Sequence, residues 1–104
     1  MFVTVSRYRA RAGEEDAIIA LHEDWQRNQQ RRARGYLSGE LIRNVRDARE
    51  FLALMRFESQ EAAQRLVKDP EHAAWYQRLV SLTEGTLTRA DYTGEWWSSL
   101  LDSE

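Results

Sequence analysis

Apolar and polar positions alternate with the two-residue period of a strand over residues 2–9, FVTVSRYR, a stretch rich in β-branched and aromatic side chains that closes at Gly13. Phe2, Thr4, Ser6 and Tyr8 share one face, and Val3, Val5 and Arg7 the other. Both faces begin apolar, as in a sheet covered on each side. From Glu14 to about Gln30 the spacing becomes helical: acids crowd the first turn, Ala17, Ile18, Leu21 and Trp25 form a stripe, and His22 lies at its edge. Gly35 ends that region. YLSGELIRN (36–44) predicts a second strand, with Tyr36, Ser38, Glu40 and Ile42 on one face, Leu37 and Leu41 on the other, and Gly39 marking a bulge. A short polar turn at 45–49 leads antiparallel into a third, EFLALMRF, in which Phe51, Ala53, Met55 and Phe57 oppose Leu52, Leu54 and Arg56.

Ser59 is placed to cap a short helix, QEAAQRLVK, whose Ala62, Ala63, Leu66 and Val67 face inward. Asp69 and Pro70 restart the chain as the main helix, DPEHAAWYQRLVSLT: Asp69 caps, and Pro70 fits the first helical position. Trp75, Leu79 and Leu82 lie on one flank of its buried face, Tyr76 and Val80 on the other, and His72 between them. Gly85 ends it, and LTRADYTGEWW (87–97) predicts a fourth strand before the tail SSLLDSE. Residues 1–97 thus form a single domain and 98–104 a tail. Strand, helix, strand, strand, helix, strand is the split βαβ, ferredoxin-like layout of an α+β fold, a four-stranded antiparallel sheet with helices on one face. The other face, carrying Val3, Val5, Leu37, Leu41, Leu52 and Leu54 or their alternates, needs a cover, which a homodimer closing two sheets into a barrel supplies. Trp96, Trp97, Leu100 and Leu101 are then arms over the neighbour, or a tail folded back on its own domain.

At 104 residues with 42% hydrophobic content, the chain is long enough for one core, and its aromatic content argues against disorder. A net charge of −2 gives no general attraction to nucleic acid or to an anionic membrane. Arg27, Arg31, Arg32 and Arg34 cluster at the end of the first helix, where a solvated terminus complementing the helix dipole competes with a phosphate patch. Zero cysteines exclude disulfides and thiolate chemistry and fit a reducing, cytoplasmic setting. No run of residues approaches a membrane span. The two histidines lie fifty positions apart, with no HxH or HExxH spacing, so neither a metal site nor any other cofactor is expected, and there is no Gly-rich nucleotide loop.

The strand exit RFESQEAAQRL, the following DPEHAAWYQRL and the GYLSGEL strand resemble the antibiotic biosynthesis monooxygenase family of dimeric α/β barrels, across nearly the whole chain. That resemblance implies a homodimer with one pocket per subunit between sheet and helices. Its members include cofactor-independent oxygenases that turn anthrone-like polyphenols into quinones, haem-degrading enzymes and small-molecule isomerases. Against the haem-degrading branch, the first-strand Asn falls on Ser6, the Trp ending the third strand on Phe57 and the haem-ligating His on Tyr76; all three differ, although His72 stands one turn earlier on the same face.

For a cofactor-independent monooxygenase acting on a small electron-rich aromatic, polyphenol or quinol-like, the expected catalytic residues are His72 and Tyr76. His72, third in its helix, is kept neutral by the positive dipole end and serves as base. Tyr76 and Trp75 donate to the developing oxyanion, and Ser6 and Tyr8 orient the substrate. Phe57, Met55, Leu79 and Phe51 form apolar walls. Each of the apolar groups is equally at home in a plain core, and His22 reads as a half-exposed histidine packed on its neighbours. The alternatives are a haem-binding or haem-degrading protein of the same fold and a non-catalytic small-ligand-binding dimer.

Overall fold

The computed structural model describes residues 1–98 and 100. Its elements are β1 (Phe2–Ala10), α1 (Glu15–Asn28) with a 3-10 turn at Gln30–Arg32, β2 (Tyr36–Asn44), β3 (Asp47–Phe57), α2 (Gln60–Lys68), α3 (Pro70–Ser81) and β4 (Thr83–Thr93). The strands form one antiparallel sheet in the order β2-β3-β1-β4, with β1 and β3 at its centre. This is the ferredoxin-like α+β arrangement, its helices packed on one face.

Local chemistry explains where the helices begin. The Ser59 hydroxyl accepts from the Ala62 N–H at 3.2 Å, and one Asp69 carboxylate oxygen accepts from the Glu71 N–H at 2.9 Å, so both caps are made. The other Asp69 oxygen receives Arg32 Nη2 at 2.6 Å, while Arg32 Nη1 reaches Glu71. One member of the arginine cluster therefore ties the end of α1 to the start of α3. Gly35, at φ +84°, turns the chain into β2, and its carbonyl accepts from Glu58 N–H at 2.8 Å.

Three sequence expectations shift. The β2–β3 turn is only Val45 and Arg46, closed by the Asn44 side chain accepting from Arg46 N–H at 2.8 Å, so β3 begins at Asp47. β4 begins at Thr83, directly after α3, and Gly85 lies inside it rather than ending the helix; its φ of +70° accompanies the irregular register between Arg7 and Arg9. In β2 the bulge falls between Tyr36 and Ser38, one step before Gly39. Two residues there oppose one, so every later side chain changes face. Leu41 consequently joins Tyr36 on the helix side and packs against the core, while Ser38, Glu40 and Ile42 turn to the open side.

On that open side lie Val3, Val5, Leu52, Ile42 and Tyr92, together with Arg56, which pairs with Glu40 at 3.5 Å. Trp97 lies against the same Arg56, its ring centre 5.6 Å from the guanidinium carbon, while Trp96 and Leu100 are exposed. Leu101, the remaining apolar residue of the expected arm, falls outside the described residues. Among the described residues no helix is long and apolar enough to cross a membrane.

Candidate functional site

On the helix side the register places residues of the four strands in rows. Arg43, Phe51 and Tyr8 form one row, followed by Leu41, Ala53, Ser6 and Arg89, then Gly39, Met55, Thr4 and Asp91, and finally Tyr36, Phe57, Phe2 and Thr93. Large aromatics stand at the two ends, and small side chains (Ala53, Ser6, Gly39, Thr4) fill the middle. The centre of the sheet is therefore a depression. α1 and α3 span it, and the space between is a cavity of about 1010 Å3, neither sealed nor flat, at the upper limit of the size range of small-molecule sites. Gly39 lets the Tyr36 hydroxyl lie directly over this floor, since a methyl there would displace it.

The structure brings Ser6, Tyr8, Met55, His72, Trp75, Tyr76 and Leu79 together in the wall of this one cavity, with Phe51. Phe57 is the exception among the expected site residues. It is 2% exposed and packs edge-on against Tyr36 with ring centres 5.9 Å apart, buried in the core within the last row rather than in the cavity wall. Tyr36 takes the wall position instead, since the bulge after it leaves its ring on the helix side.

His72 sits in the third position of α3, held between rings. Trp25 Nε1–H donates to its Nδ1 at 3.1 Å, and Trp75 stacks on it with centroids 5.6 Å apart at 21°. An indole N–H can only donate, so Nδ1 is the unprotonated nitrogen and the neutral ring carries its hydrogen on Nε2. Burial lowers the His72 pKa below the ordinary imidazole value, with Asp69 opposing and Arg89 assisting. The ring is thus neutral as expected, though through desolvation first. Its role changes, because the lone pair a base would use is already occupied by Trp25, and the free nitrogen is a donor. Trp75 also departs from its expected role: its indole N–H donates to the Leu21 carbonyl at 2.8 Å, which leaves the ring a wall and removes it as an oxyanion donor. Tyr76 is 36% exposed, so the Tyr76–Val80 flank of α3 stands at the solvent side rather than inside.

Sequence reasoning missed His22 as a site residue. Its Nδ1 lies 2.8 Å from the Ile18 carbonyl oxygen, which can only accept, so Nδ1 carries the hydrogen. Nε2 is then an acceptor, and the Tyr8 hydroxyl donates to it at 2.9 Å. Burial lowers the His22 pKa and raises that of Tyr8 well beyond the ordinary phenol range. His22 lies edge-on to Trp75 with centroids 5.0 Å apart, and both it and Tyr8 line the cavity. The only sequence signal was its place at the stripe's edge, which does not reveal a partner on a strand. Among the described residues no group of three or more His, Cys, Asp or Glu side chains is arranged to hold a metal ion.

Solved structures share this architecture. SnoaB of Streptomyces nogalater, described as a cofactor-independent oxygenase, superposes with a TM-score of 0.73 at 16% identity, covering 92% of this chain and 94% of its own. A conserved protein of Methanosarcina mazei reaches 0.81 at 6% identity over 90% of this chain and 92% of that one. A Nitrosomonas europaea structure described as a candidate antibiotic biosynthesis monooxygenase reaches 0.79 at 14% identity, over 92% of this chain and 100% of that one. At these identities the likeness establishes the fold. A comparison with curated proteins finds no match. The sequence model of the antibiotic biosynthesis monooxygenase family matches residues 1–78, three quarters of the chain and every cavity residue up to Gln77, so this protein belongs to that family.

Proposed function

We propose that the protein is a cofactor-independent monooxygenase acting on a small, flat, electron-rich aromatic of the polyphenol or quinol class. The observation that carries this reading is the cavity, wide enough for a fused-ring guest and walled by Phe51, Trp25, Trp75 and Tyr36, with hydroxyl and imidazole groups on its wall and the charged side chains of Glu23, Arg43 and Arg89 also in its lining. Family membership and the fold shared with SnoaB support it. For an anthrone the net reaction takes a ring methylene and dioxygen to a ring carbonyl and water, and for a hydroquinone it takes the ring and dioxygen to a hydroxyquinone and water, so in each case the substrate supplies all the electrons. The protein's task is to bind the ring, help form its anion and control protons. Aromatic walls hold the ring by burial and offset stacking. Ser6, at the small-residue floor, is placed to orient a guest oxygen, and the Nε2–H of His72 is suited to stabilise an oxyanion. Tyr76, on the solvent side of the wall, would contact a ring entering the cleft.

The working unit is proposed to be a homodimer closed through the open sheet face, where Val3, Val5, Leu52, Ile42 and Tyr92 form an apolar field. Its setting is proposed to be the cytoplasm, in keeping with a chain free of cysteine. The test is an oxygen electrode with a panel of anthrones and hydroquinones. Uptake matched one to one by carbonyl product and reduced sharply in His72→Ala supports the reading; no uptake above autoxidation across the panel removes it. A shifted Soret band on haemin titration would favour the haem-binding alternative.

A further inference from the structure

Two neutral imidazoles line one cavity with their hydrogens placed oppositely. His72 receives a hydrogen bond on Nδ1 from Trp25 and keeps its own hydrogen on Nε2. His22 gives its Nδ1 hydrogen to the Ile18 carbonyl and keeps Nε2 as a lone pair, which the Tyr8 hydroxyl fills. We propose that Tyr8 and His22 form the proton relay of the site, taking the hydroxyl proton of a bound phenol and passing it to His22 Nε2. The proposal deepens the polyphenol reading and rests on it.

The geometry supports a relay of this polarity. The Tyr8 oxygen donates to His22 and retains acceptor capacity, so a guest phenol can hydrogen-bond to it in the order guest O–H, Tyr8 O–H, His22 Nε2. In the transfer the guest O–H bond breaks and a new O–H bond forms on Tyr8. The original Tyr8 proton moves to Nε2. The products are a phenolate and an imidazolium, no electrons have moved, and charge is conserved. Both N–H groups of that imidazolium are satisfied, Nδ1 by the Ile18 carbonyl and Nε2 by the Tyr8 oxygen. No side chain has to rotate. Tyr8 is 2% exposed on a central strand, stacked with Phe51 at 6.2 Å, and His22 is held between the Tyr8 face and the Trp75 edge.

Burial disfavours both tyrosinate and imidazolium in the empty site, so the pair stores no charge. A guest anion beside it supplies the partner the cation lacks. Tyr8 acts as a conduit that gives a proton as it gains one, which suits a phenol too buried to ionise by itself. His72, with the opposite polarity, stabilises the anion the relay creates. The two histidines thereby divide the work of acceptor and donor.

The probe is 4-nitrophenol, whose phenolate absorbs at longer wavelength than its phenol, buffered just below its own pKa. Wild-type protein is expected to bind it with a several-fold rise in the phenolate fraction, and the His22 Nε2 nitrogen-15 signal is expected to change from bare acceptor to N–H on binding. Tyr8→Phe and His22→Gln should each bind the probe without that rise. Binding by wild type with an unchanged phenolate fraction, or variants that keep the rise, would overturn the relay and leave the cavity reading intact. Failure of wild type to bind any phenol removes the cavity reading and the relay with it. Should a variant fail to fold, the nitrogen-15 signal of wild type decides alone: an Nε2 that stays bare with probe bound refutes the relay.

Discussion

Gly35→Ala should be far more damaging than Gly13→Ala, although both glycines have nearly the same backbone conformation, φ +84° and +86°. An alanine in the left-handed region is strained by about 1–2 kcal/mol, and reduced freedom of the unfolded chain returns about 0.4–1 kcal/mol. For Gly13 that is the whole effect, because nothing lies within 4 Å of a methyl there. At Gly35 the added methyl would sit 2.6 Å from the Ala62 Cβ on α2. Neither atom has a torsion that can move it aside, so the start of β2 must separate from α2, an overpacking cost of about 1–3 kcal/mol. With a difference of about 2 kcal/mol, the melting temperature of Gly35→Ala should lie roughly 8–16 °C below that of Gly13→Ala. The assay is reversible calorimetric or circular-dichroism melting of both variants beside wild type. Equal melting temperatures would refute the contact argument, and Gly13→Ala melting lower would reverse it. The site should register the change too, because Gly35 precedes Tyr36, whose ring meets Trp25 at 5.0 Å in the cavity wall.

Two other outcomes follow from the charges and the open sheet. His22 and His72 both titrate below the ordinary imidazole value because burial penalises the cation. The unfolded chain therefore binds more protons than the folded one between those lowered values and about 6.5, so stability rises with pH across that window and is lost on acidification. Asp47, lowered by Arg9, and Asp69, lowered by the Glu71 N–H, act in the same direction at lower pH. Urea melts should show that rise, flattened in His22→Gln; stability that falls with pH across the window would contradict the assignment. Val5→Glu places a carboxylate in the apolar open face between Leu54 and Ala90; under the proposed dimer, sedimentation should show wild type as dimer and this variant as monomer, and an unchanged dimer would move the interface elsewhere.

The sequence disclosed most where the controlling interactions are local. The starts of α2 and α3 are legible because Ser59 and Asp69 bond to N–H groups within three residues of themselves. The faces of β1 and β3 are legible because no bulge interrupts their mutual register. In β2 one extra residue at 37 or 38 reverses every later assignment, and a two-residue pattern carries no mark of where the extra residue sits. The start of β4 was hidden by TEGTL, whose glycine reads as a turn and serves instead inside a strand. At the site, the membership of Ser6, Tyr8, Met55, His72, Trp75, Tyr76 and Leu79 in one wall follows from periodicity and topology. Hydrogen-bond polarity does not. For His72 the polarity depends on Trp25, 47 residues away in the chain; for His22 the Ile18 carbonyl sets it, and the partner that then uses Nε2, Tyr8, lies 14 residues away on a strand. Phe57 illustrates the same limit, since an inward-facing phenylalanine belongs equally to floor or core until Tyr36 is known to cover it.

The central claim is that a flat phenolic guest occupies the space between the small-residue floor and helices α1 and α3. A crystal structure of the protein soaked with a dihydroxyanthraquinone, the product-like form of an anthrone, tests it most directly. The account predicts the ring system over Ser6 and Ala53, with one oxygen within hydrogen-bond distance of Tyr8 and another at His72. Density for the quinone on the open sheet face, or a cavity closed by side-chain collapse with no room for the ring, would contradict it.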